Sequence, residues 1–414
     1  MLESPAPRSP EGATMTHKPR ALLLEGIHPS AVEVLEQDGY QVDTRPVALS
    51  EAELAEALPG VELLGIRSNT TIGERTLSRS PDLKALGCFC IGTNQVDLET
   101  ATARALPVFN APYSNSRSVV ELVIGEIIAL SRRLTDKNRL LHAGIWDKSA
   151  RGSHEVRGRT LGIVGYGNIG TQLANLAEAI GMRVVFHDIA DRPAHGNAQR
   201  MRDLPTLLAR ADVVSLHVDG RPGNAGLFGR AEFARMKPGS LLVNASRGMV
   251  VDDAALRESI AGGHLAGAAL DVFPVEPKAQ GDPFESGLRG LDNVILTPHV
   301  AASTQEAQEE IGWFVAGKLL RYVRDGSTGL AVNLPNVQTA PSANVLTLLH
   351  RNVPGVMVDL NQVLQDAGLN ITAQSLATAG DLGYVVTAVD RPVRESVRQA
   401  IAALPTTVDC RLPG

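Results

Sequence analysis

One run of ten residues constrains this chain more than any other: Leu161-Gly162-Ile163-Val164-Gly165-Tyr166-Gly167-Asn168-Ile169-Gly170. An apolar strand-like segment passes directly into G-x-G-x-x-G, and each glycine has its own reason. Gly165 permits a tight turn, Gly167 lets backbone approach a pyrophosphate, and Gly170 lets a helix pack on a strand. The helix expected next carries Ile169, Leu173, Leu176, Ala177 and Ile180 on one face and stops at Gly181. Its N-terminal N–H groups would face the phosphates. The segment Met182–His187 then delivers Asp188, about 20 residues beyond the glycines, where an acid binds ribose hydroxyls and repels a 2′-phosphate. A glycine-rich turn alone can be structural, but strand, loop, helix, strand and acid in order point to NAD.

The surrounding pattern agrees. Between Thr160 and Val300, apolar runs recur at Leu161–Val164, Arg183–Phe186, Val213–Val218, Leu241–Val243, Ala268–Val272 and Val294–Leu296, as in an open doubly wound sheet. Ala21–Leu24, Ala31–Glu36 and Gly60–Ile66 open a second βα-alternating region. Ser118 with Glu121, and Ser303 with Glu306, read as capping boxes that start two further helices. Gly326–Pro341 reads as a linker, and Asn344–Gly414 has the length of a small α+β module.

Composition narrows the function classes. The 414 residues carry 39 Lys+Arg against 45 Asp+Glu, a net charge of −6, which offers no general attraction to nucleic acid or anionic membrane. No apolar run approaches the roughly 18 residues of a membrane span. The three cysteines, Cys88, Cys90 and Cys410, form no C-x-x-C pair, so neither a disulfide framework nor a metal site is expected, and the cytoplasm is the default location. Met1–Arg20 lacks an apolar core and reads as a disordered extension, with Met15 an alternative start.

In open α/β sheets, ligands gather outside the carboxyl ends of the strands. Here those ends carry Gly165, Asp188, His217, Ala245-Ser246-Arg247-Gly248, Asp271 and Pro298-His299. Arg247 can clamp a carboxylate with two parallel hydrogen bonds. Glu276, between Pro274 and Pro277, suits the task of orienting another side chain. His299 paired with a carboxylate makes a general acid/base near neutral pH. Taken singly, each is as readily a surface ion pair, a solvated acid or a structural histidine; their shared edge is what singles them out. His217 has the weakest case and would line the cofactor pocket.

The glycine loop, Asn244-Ala245-Ser246-Arg247-Gly248, Asp271-Val272-Phe273-Pro274-Val275-Glu276-Pro277 and Thr297-Pro298-His299 resemble the signatures of D-2-hydroxyacid dehydrogenases. Gly87–Leu98 and Phe109–Asn115 are similar to the D-3-phosphoglycerate dehydrogenase branch of that family. The resemblance implies NAD-dependent oxidation of D-3-phosphoglycerate to 3-phosphohydroxypyruvate, the first step of phosphorylated L-serine biosynthesis. It implies Arg247, Glu276 and His299 as the catalytic set. The cofactor would meet Gly165, Gly167, Asn168, Ile169, Gly170, Asp188, His217, Ala245, Ser246, Arg247, Asp271, His299, Ala301 and Ala302. Arg67, Ser68 and Asn115 would join Arg247 in holding substrate. Three departures stand out: Asn69 where relatives have a second arginine, Ala301-Ala302 where a glycine pair is common, and Asp219 in place of a proline.

The last 70 residues resemble an ACT domain, a ferredoxin-like βαββαβ module, with His350, Asn352 and Asn370 at the positions that bind L-serine in serine-inhibited relatives. The implied chain is a homotetramer under feedback control, with Trp146 an intersubunit anchor. The expected organisation is a disordered extension at 1–20, a substrate-binding Rossmann-like domain at 21–113 and 304–336, and an NAD-binding Rossmann domain at 114–303. A linker at 337–343 leads to the ACT domain at 344–414. Rival readings are a reductase for another 2-oxo acid, such as 2-oxoglutarate or hydroxypyruvate, an idle NADH-sensing binding protein, and a pure amino-acid sensor.

Overall fold

Each βα step returns the chain to the same edge of a sheet, so short apolar runs separated by helices assemble into parallel sheets. The computed structural model describes residues 18–277, 281–340 and 342–413. These fall into two units: the described residues up to Ala111 together with those from Ile311 onward, and Pro112–Glu310. The expected disordered extension lies outside the described residues up to position 17; Arg20 already opens the first strand and pairs with Asp43 at 2.8 Å.

In the first unit, β1 (Arg20–Leu23), β2 (Gln41–Thr44), β3 (Val61–Ile66), β4 (Ala85–Cys88) and β5 (Val108–Asn110) form a parallel sheet in the order β2-β1-β3-β4-β5. Helices α1 (Pro29–Gln37), α2 (Glu51–Ala57), α3 (Glu74–Ser78) and α4 (Leu98–Ala103) connect them.

The second unit opens with α5 (Ser116–Arg132) and α6 (Leu134–His142). Its sheet holds β6 (Thr160–Val164), β7 (Arg183–His187), β8 (Gln199–Arg200), β9 (Val213–Leu216), β10 (Ser240–Asn244), β11 (Leu265–Leu270) and β12 (Val294–Leu296). Their order is β12-β11-β10-β9-β6-β7-β8, and every pairing is parallel. The six expected runs are present, and the two-residue β8 adds an edge that periodicity cannot detect. Among the helices, α7 (Asn168–Ala179) follows the glycine loop, and α8 (Leu204–Arg210), α9 (Arg230–Arg235) and α10 (Asp253–Ala261) complete the unit. The long α11 (Gln305–Asp325) returns the chain to the first unit, where Gly87 leaves room for it: a Cβ there would meet Val315 Cγ1 at 2.7 Å.

Neither capping box forms. Asn115 occupies the N-cap of α5, Ser118 Oγ lies 2.9 Å from Thr304 Oγ1, and Glu121 pairs with Arg117. At α11 it is Thr304 Oγ1 that accepts from the Ala307 N–H, at 3.2 Å. The serine pattern in each case sits a position or more from the true helix start.

The C-terminal module runs β13 (Val345–Arg351), α12 (Val356–Asp366), β14 (Ile371–Ala379), β15 (Leu382–Val389), α13 (Glu395–Ala402), β16 (Thr407–Arg411), an antiparallel βαββαβ sheet in the order β14-β15-β13-β16. Alternation along the strands explains its two apolar faces. Leu346, Leu348, Val385 and Cys410 meet α12 and α13 through Leu360, Leu364 and Ile401. The intervening Val345, Leu349, Tyr384 and Val386 join the core of the parallel sheet with Leu35, Phe109 and Leu319.

The stretch expected to be a linker is correspondingly no slack tether. Pro341 lies outside the described residues, but Thr328, Ala331, Leu334 and Val337 are buried. Asn333 Oδ1 accepts from the Val108 N–H at 2.9 Å, and its Nδ2 donates to Leu106 O at 2.9 Å and Thr102 Oγ1 at 3.2 Å. Its loop composition reflects turns packed on a core, where polar side chains satisfy backbone that no strand reaches. Replacing Asn333 by Ala leaves those groups unpaired and is expected to cost about 1–3 kcal/mol in a chemical-denaturation midpoint, with little change in its slope.

Candidate active site

Because the second sheet is wholly parallel, its carboxyl ends share one edge, and the glycine loop sits where strand order reverses, between β6 and its neighbours β9 and β7. Gly165 has φ +93°, and a Cβ on it would meet His217 O at 2.5 Å; one on Gly170 would strike Gly165 O. A Cβ on Gly167 would meet nothing, so this glycine keeps a space clear. Among the described residues no side chain caps α7, which leaves its first N–H groups for an anion. Asp188 Oδ2 accepts from the Tyr166 N–H at 2.7 Å and Oδ1 from the Ala190 N–H at 2.8 Å, fastening this acid to the loop. An open cradle, a bare helix start and an acid one strand away are a donor set that fits a dinucleotide.

His217 Nε2 lies 2.8 Å from Ser215 Oγ, and burial pulls the imidazole pKa down to about 4. It is therefore neutral at physiological pH. Asp219 accepts from the Arg221 backbone and guanidinium and from Asn224 Nδ2, so the departure from proline is a staple of its own loop.

After β10, the fully buried Asn244 turns the chain. Its Oδ1 accepts from the Ser246 N–H and Oγ, and its Nδ2 donates to Arg247 O at 3.2 Å. A Cβ on Gly248 would collide with the Phe273 backbone, so only glycine lets the Arg247 turn close on the loop after β11. In that loop, Glu276 Oε1 accepts from the Phe273 N–H at 3.0 Å, and Oε2 lies 2.8 Å from His299 Nδ1.

His299 has φ +54°, a left-handed conformation uncommon for a residue with a Cβ. Asp271 sustains it. This carboxylate is 1% exposed and accepts from Thr297 Oγ1 at 2.6 Å, the Val300 N–H at 2.9 Å and the Ala301 N–H at 2.8 Å, bracketing His299 on both sides.

The electrostatics follow from the pairing. The hydrogen bond to Glu276 raises the His299 pKa above its usual 6.5 against the pull of burial, with the Glu276 and Asp271 charges adding to the rise. Burial works to raise Glu276, but bonds from His299 and Phe273 and the His299 and Arg247 charges hold it below its usual value. With Nδ1 engaged by the carboxylate, Nε2 is left to exchange a proton.

The chain is similar to known proteins over most of its length. Residues 124–301 match the family profile "D-isomer specific 2-hydroxyacid dehydrogenase, NAD binding domain", and residues 346–409 match "AHAS small subunit-like ACT domain". D-3-phosphoglycerate dehydrogenase of Escherichia coli (strain K12) is 49% identical over 95% of this chain and 97% of its own length. The enzyme of that name from Dictyostelium discoideum is 44% identical over 95% and 97%. Among solved structures, D-lactate dehydrogenase from Aquifex aeolicus, complexed with NAD and lactic acid, superposes with a TM-score of 0.66 at 26% identity, covering 76% of this chain and all of that one.

The chain belongs to the D-3-phosphoglycerate dehydrogenase family. It is an NAD-dependent D-2-hydroxyacid dehydrogenase with a C-terminal ACT domain. The remaining expected site residues are divided between the two units. Arg67, half-buried, and the exposed Ser68 and Asn69 form the loop after β3 in the first unit. Asn115, in the second unit, is buried, with its Oδ1 unpartnered among the described residues. Ala301 is buried in the apolar core with Val243, Ala269 and Leu161.

The ACT residues do not converge within one chain. His350, buried with Nδ1 2.8 Å from Arg351 O, pairs across the sheet with Gly383 at one end of β15. Asn352 Nδ2 donates to Gly380 O at that same end, on the wall of a cavity of about 420 Å³ shared with Arg351 and Asp381. Asn370 precedes β14, whose first residue pairs with Val389 at the opposite end, about 24 Å away at roughly 3.4 Å per residue.

Sequence reading missed Asn244, whose signal was a buried amide inside a recognised motif, and Glu126, which gave no signal at all. Glu126 lies in α5, 4% exposed, with both carboxyl oxygens unpartnered among the described residues. Burial, with a smaller contribution from Asp271, pushes its pKa up to about 8. The unfolded chain loses this proton near the usual carboxyl range, so Glu126 subtracts stability progressively as pH rises from there to about 8. Glu126→Gln is therefore expected to melt above the parent protein at pH 8–9, with the gain vanishing near pH 4, in paired thermal-denaturation scans.

Proposed function

We propose that this chain oxidises D-3-phosphoglycerate to 3-phosphohydroxypyruvate, and runs the reverse reduction, under feedback inhibition by L-serine. The observation that carries the chemistry is the Glu276–His299 pair at 2.8 Å on a loop clamped by Asp271. NAD supplies the hydride acceptor. Gly165, Gly167, Asn168, Ile169 and Gly170 would hold its pyrophosphate, Asp188 its ribose, and His217, Ala245, Ser246, Asp271, Ala301 and Ala302 would border its remainder.

Arg247 binds the substrate carboxylate and the oxygen on C2, fixing C2 for hydride departure. As hydride leaves C2, the hydroxyl proton passes to His299 Nε2, and the two electrons of the O–H bond become the second bond of the new carbonyl. Glu276 keeps the imidazole in the tautomer with Nε2 free and stabilises the imidazolium once formed. In reduction, His299 returns the proton. Arg67, Ser68 and Asn115 serve the phosphate-bearing end of the substrate.

The regulatory half of the proposal is a homotetramer in which paired ACT domains bind L-serine between His350 and Asn352 of one chain and Asn370 of its partner. The separation of these residues along β15 supports a site that only pairing completes. Exposed Trp146, Ile145, Leu141 and Leu134 on and after α6 support a further intersubunit surface.

A second reading, reduction of an unphosphorylated 2-oxo acid such as 2-oxoglutarate, is favoured by one observation: the exposed Asn69 supplies no second cation beside Arg67. NADH oxidation separates the two. Turnover of phosphohydroxypyruvate well above that of hydroxypyruvate or 2-oxoglutarate, suppressed by L-serine in the parent and not in Asn352→Ala, is expected; turnover confined to 2-oxoglutarate would contradict the substrate assignment. His299→Ala should abolish turnover by a factor of roughly 10² or more while NADH still binds, as followed by its fluorescence.

A further inference from the structure

β1 ends at Leu23, and the Leu24 N–H donates to Gly65 O at 2.9 Å before the chain turns through Glu25 and Gly26, both at φ +61°. Gly26 adopts this freely; Glu25 does so against its Cβ. The turn delivers a carboxyl group that is 8% exposed to the loop after β3. Oε1 accepts from the N–H of Arg67 at 3.0 Å and of Thr70 at 2.9 Å, and Oε2 accepts from the N–H of Asn69 at 2.9 Å. Converging main-chain N–H groups of this kind are an anion-binding concavity. Here the chain's own carboxylate fills it, taking up the N–H groups of Arg67, Asn69 and Thr70.

The opposite side of the Arg67 peptide is held as well. Gln95, 7% exposed, donates from Nε2 to Arg67 O at 2.5 Å and to Gly92 O at 3.2 Å. Both backbone groups of Arg67 are thus tied to buried side chains, one from the end of β1 and one from the loop before α4. A long, rotamer-rich cation gains selectivity when its base cannot shift, since a displacement near 1 Å at a positioning group is costly.

We propose that Glu25 and Gln95 are positioning residues that set the preference for a phosphorylated over an unphosphorylated 2-oxo acid, acting through the placement of Arg67. This rests on the assignment of Arg67 to the substrate phosphate. In Glu25→Gln, one acceptor oxygen becomes an NH2 group that confronts a loop N–H, while size and shape are retained. Gln95→Leu removes the other tether by a different route and keeps the proposal testable should Glu25→Gln fail to fold.

The experiment measures kcat/KM for phosphohydroxypyruvate and for hydroxypyruvate in the full-length parent, Glu25→Gln, Gln95→Leu and Arg67→Gln, with NADH fluorescence as the check on folding. The expected result is a fall of roughly tenfold in the ratio of the two values for both positioning variants, carried by KM for the phosphorylated substrate, and a larger fall for Arg67→Gln. A lowered ratio in Arg67→Gln alone overturns the positioning roles and leaves the phosphate assignment standing. An unchanged ratio in all three overturns both. Equal losses on the two substrates in the positioning variants show a general structural role and also overturn the proposal.

Discussion

The site depends on one buried carboxylate. Asp271 is 1% exposed, an expensive place for a charge unless every oxygen finds donors. Its three donors, Thr297 Oγ1 and the Val300 and Ala301 N–H groups, all belong to the segment that carries His299. Moving that segment would strand the carboxylate, so the left-handed backbone at His299 is the cheaper outcome. Glu276, itself tied to the Phe273 N–H, then meets an imidazole whose position is already fixed.

The same device recurs across the fold. Asp188 at the end of β7 catches the Tyr166 N–H of the loop after β6. Asp271 at the end of β11 catches the loop after β12. Glu25 at the end of β1 catches the loop after β3. Parallel strands leave their C-terminal loops with unpaired N–H groups beside one another, and an acid on the neighbouring strand both satisfies and immobilises them. Glycine completes the arrangement where loops must touch, at Gly165 against His217 and at Gly248 against Phe273.

Much of this was legible in the sequence. Apolar runs in βα order, bounded by turn residues, locate six of the seven strands of the second sheet. Ala21–Leu24 and Gly60–Ile66 locate β1 and β3 of the first, whereas the short β2, β4 and β5 carry no run that stands out. The glycine loop, Asp188, Arg247, Glu276 and His299 stand out in the sequence as candidates because each follows an apolar strand-like run or sits in a recognisable motif. What could not be read depends on contacts distant in sequence. Asp271 is readable as a strand-end acid but not as the clamp on the His299 segment. Glu25 looks like any loop acid until the loop it holds is placed beside it, and Glu126 looks like a surface residue of an amphipathic helix. The stretch after α11 has linker composition yet packs because Asn333 happens to reach unpaired backbone of β5. Ser118 and Ser303 each begin a sound capping pattern, but Asn115 and Thr304 take those places once tertiary packing sets where the helices start.

His299, in the mechanism proposed above, carries the reaction proton with a basicity set by Glu276. The most direct measurement is the pH dependence of phosphohydroxypyruvate reduction at saturating NADH. Reduction needs the imidazolium, which is present below the His299 pKa and lost as pH rises through it, so activity should fall with a midpoint above 6.5. In Glu276→Gln, the hydrogen bond and charge that raise this pKa are gone, and the midpoint should move to lower pH along with a reduced plateau. A midpoint that stays where it was would contradict the account.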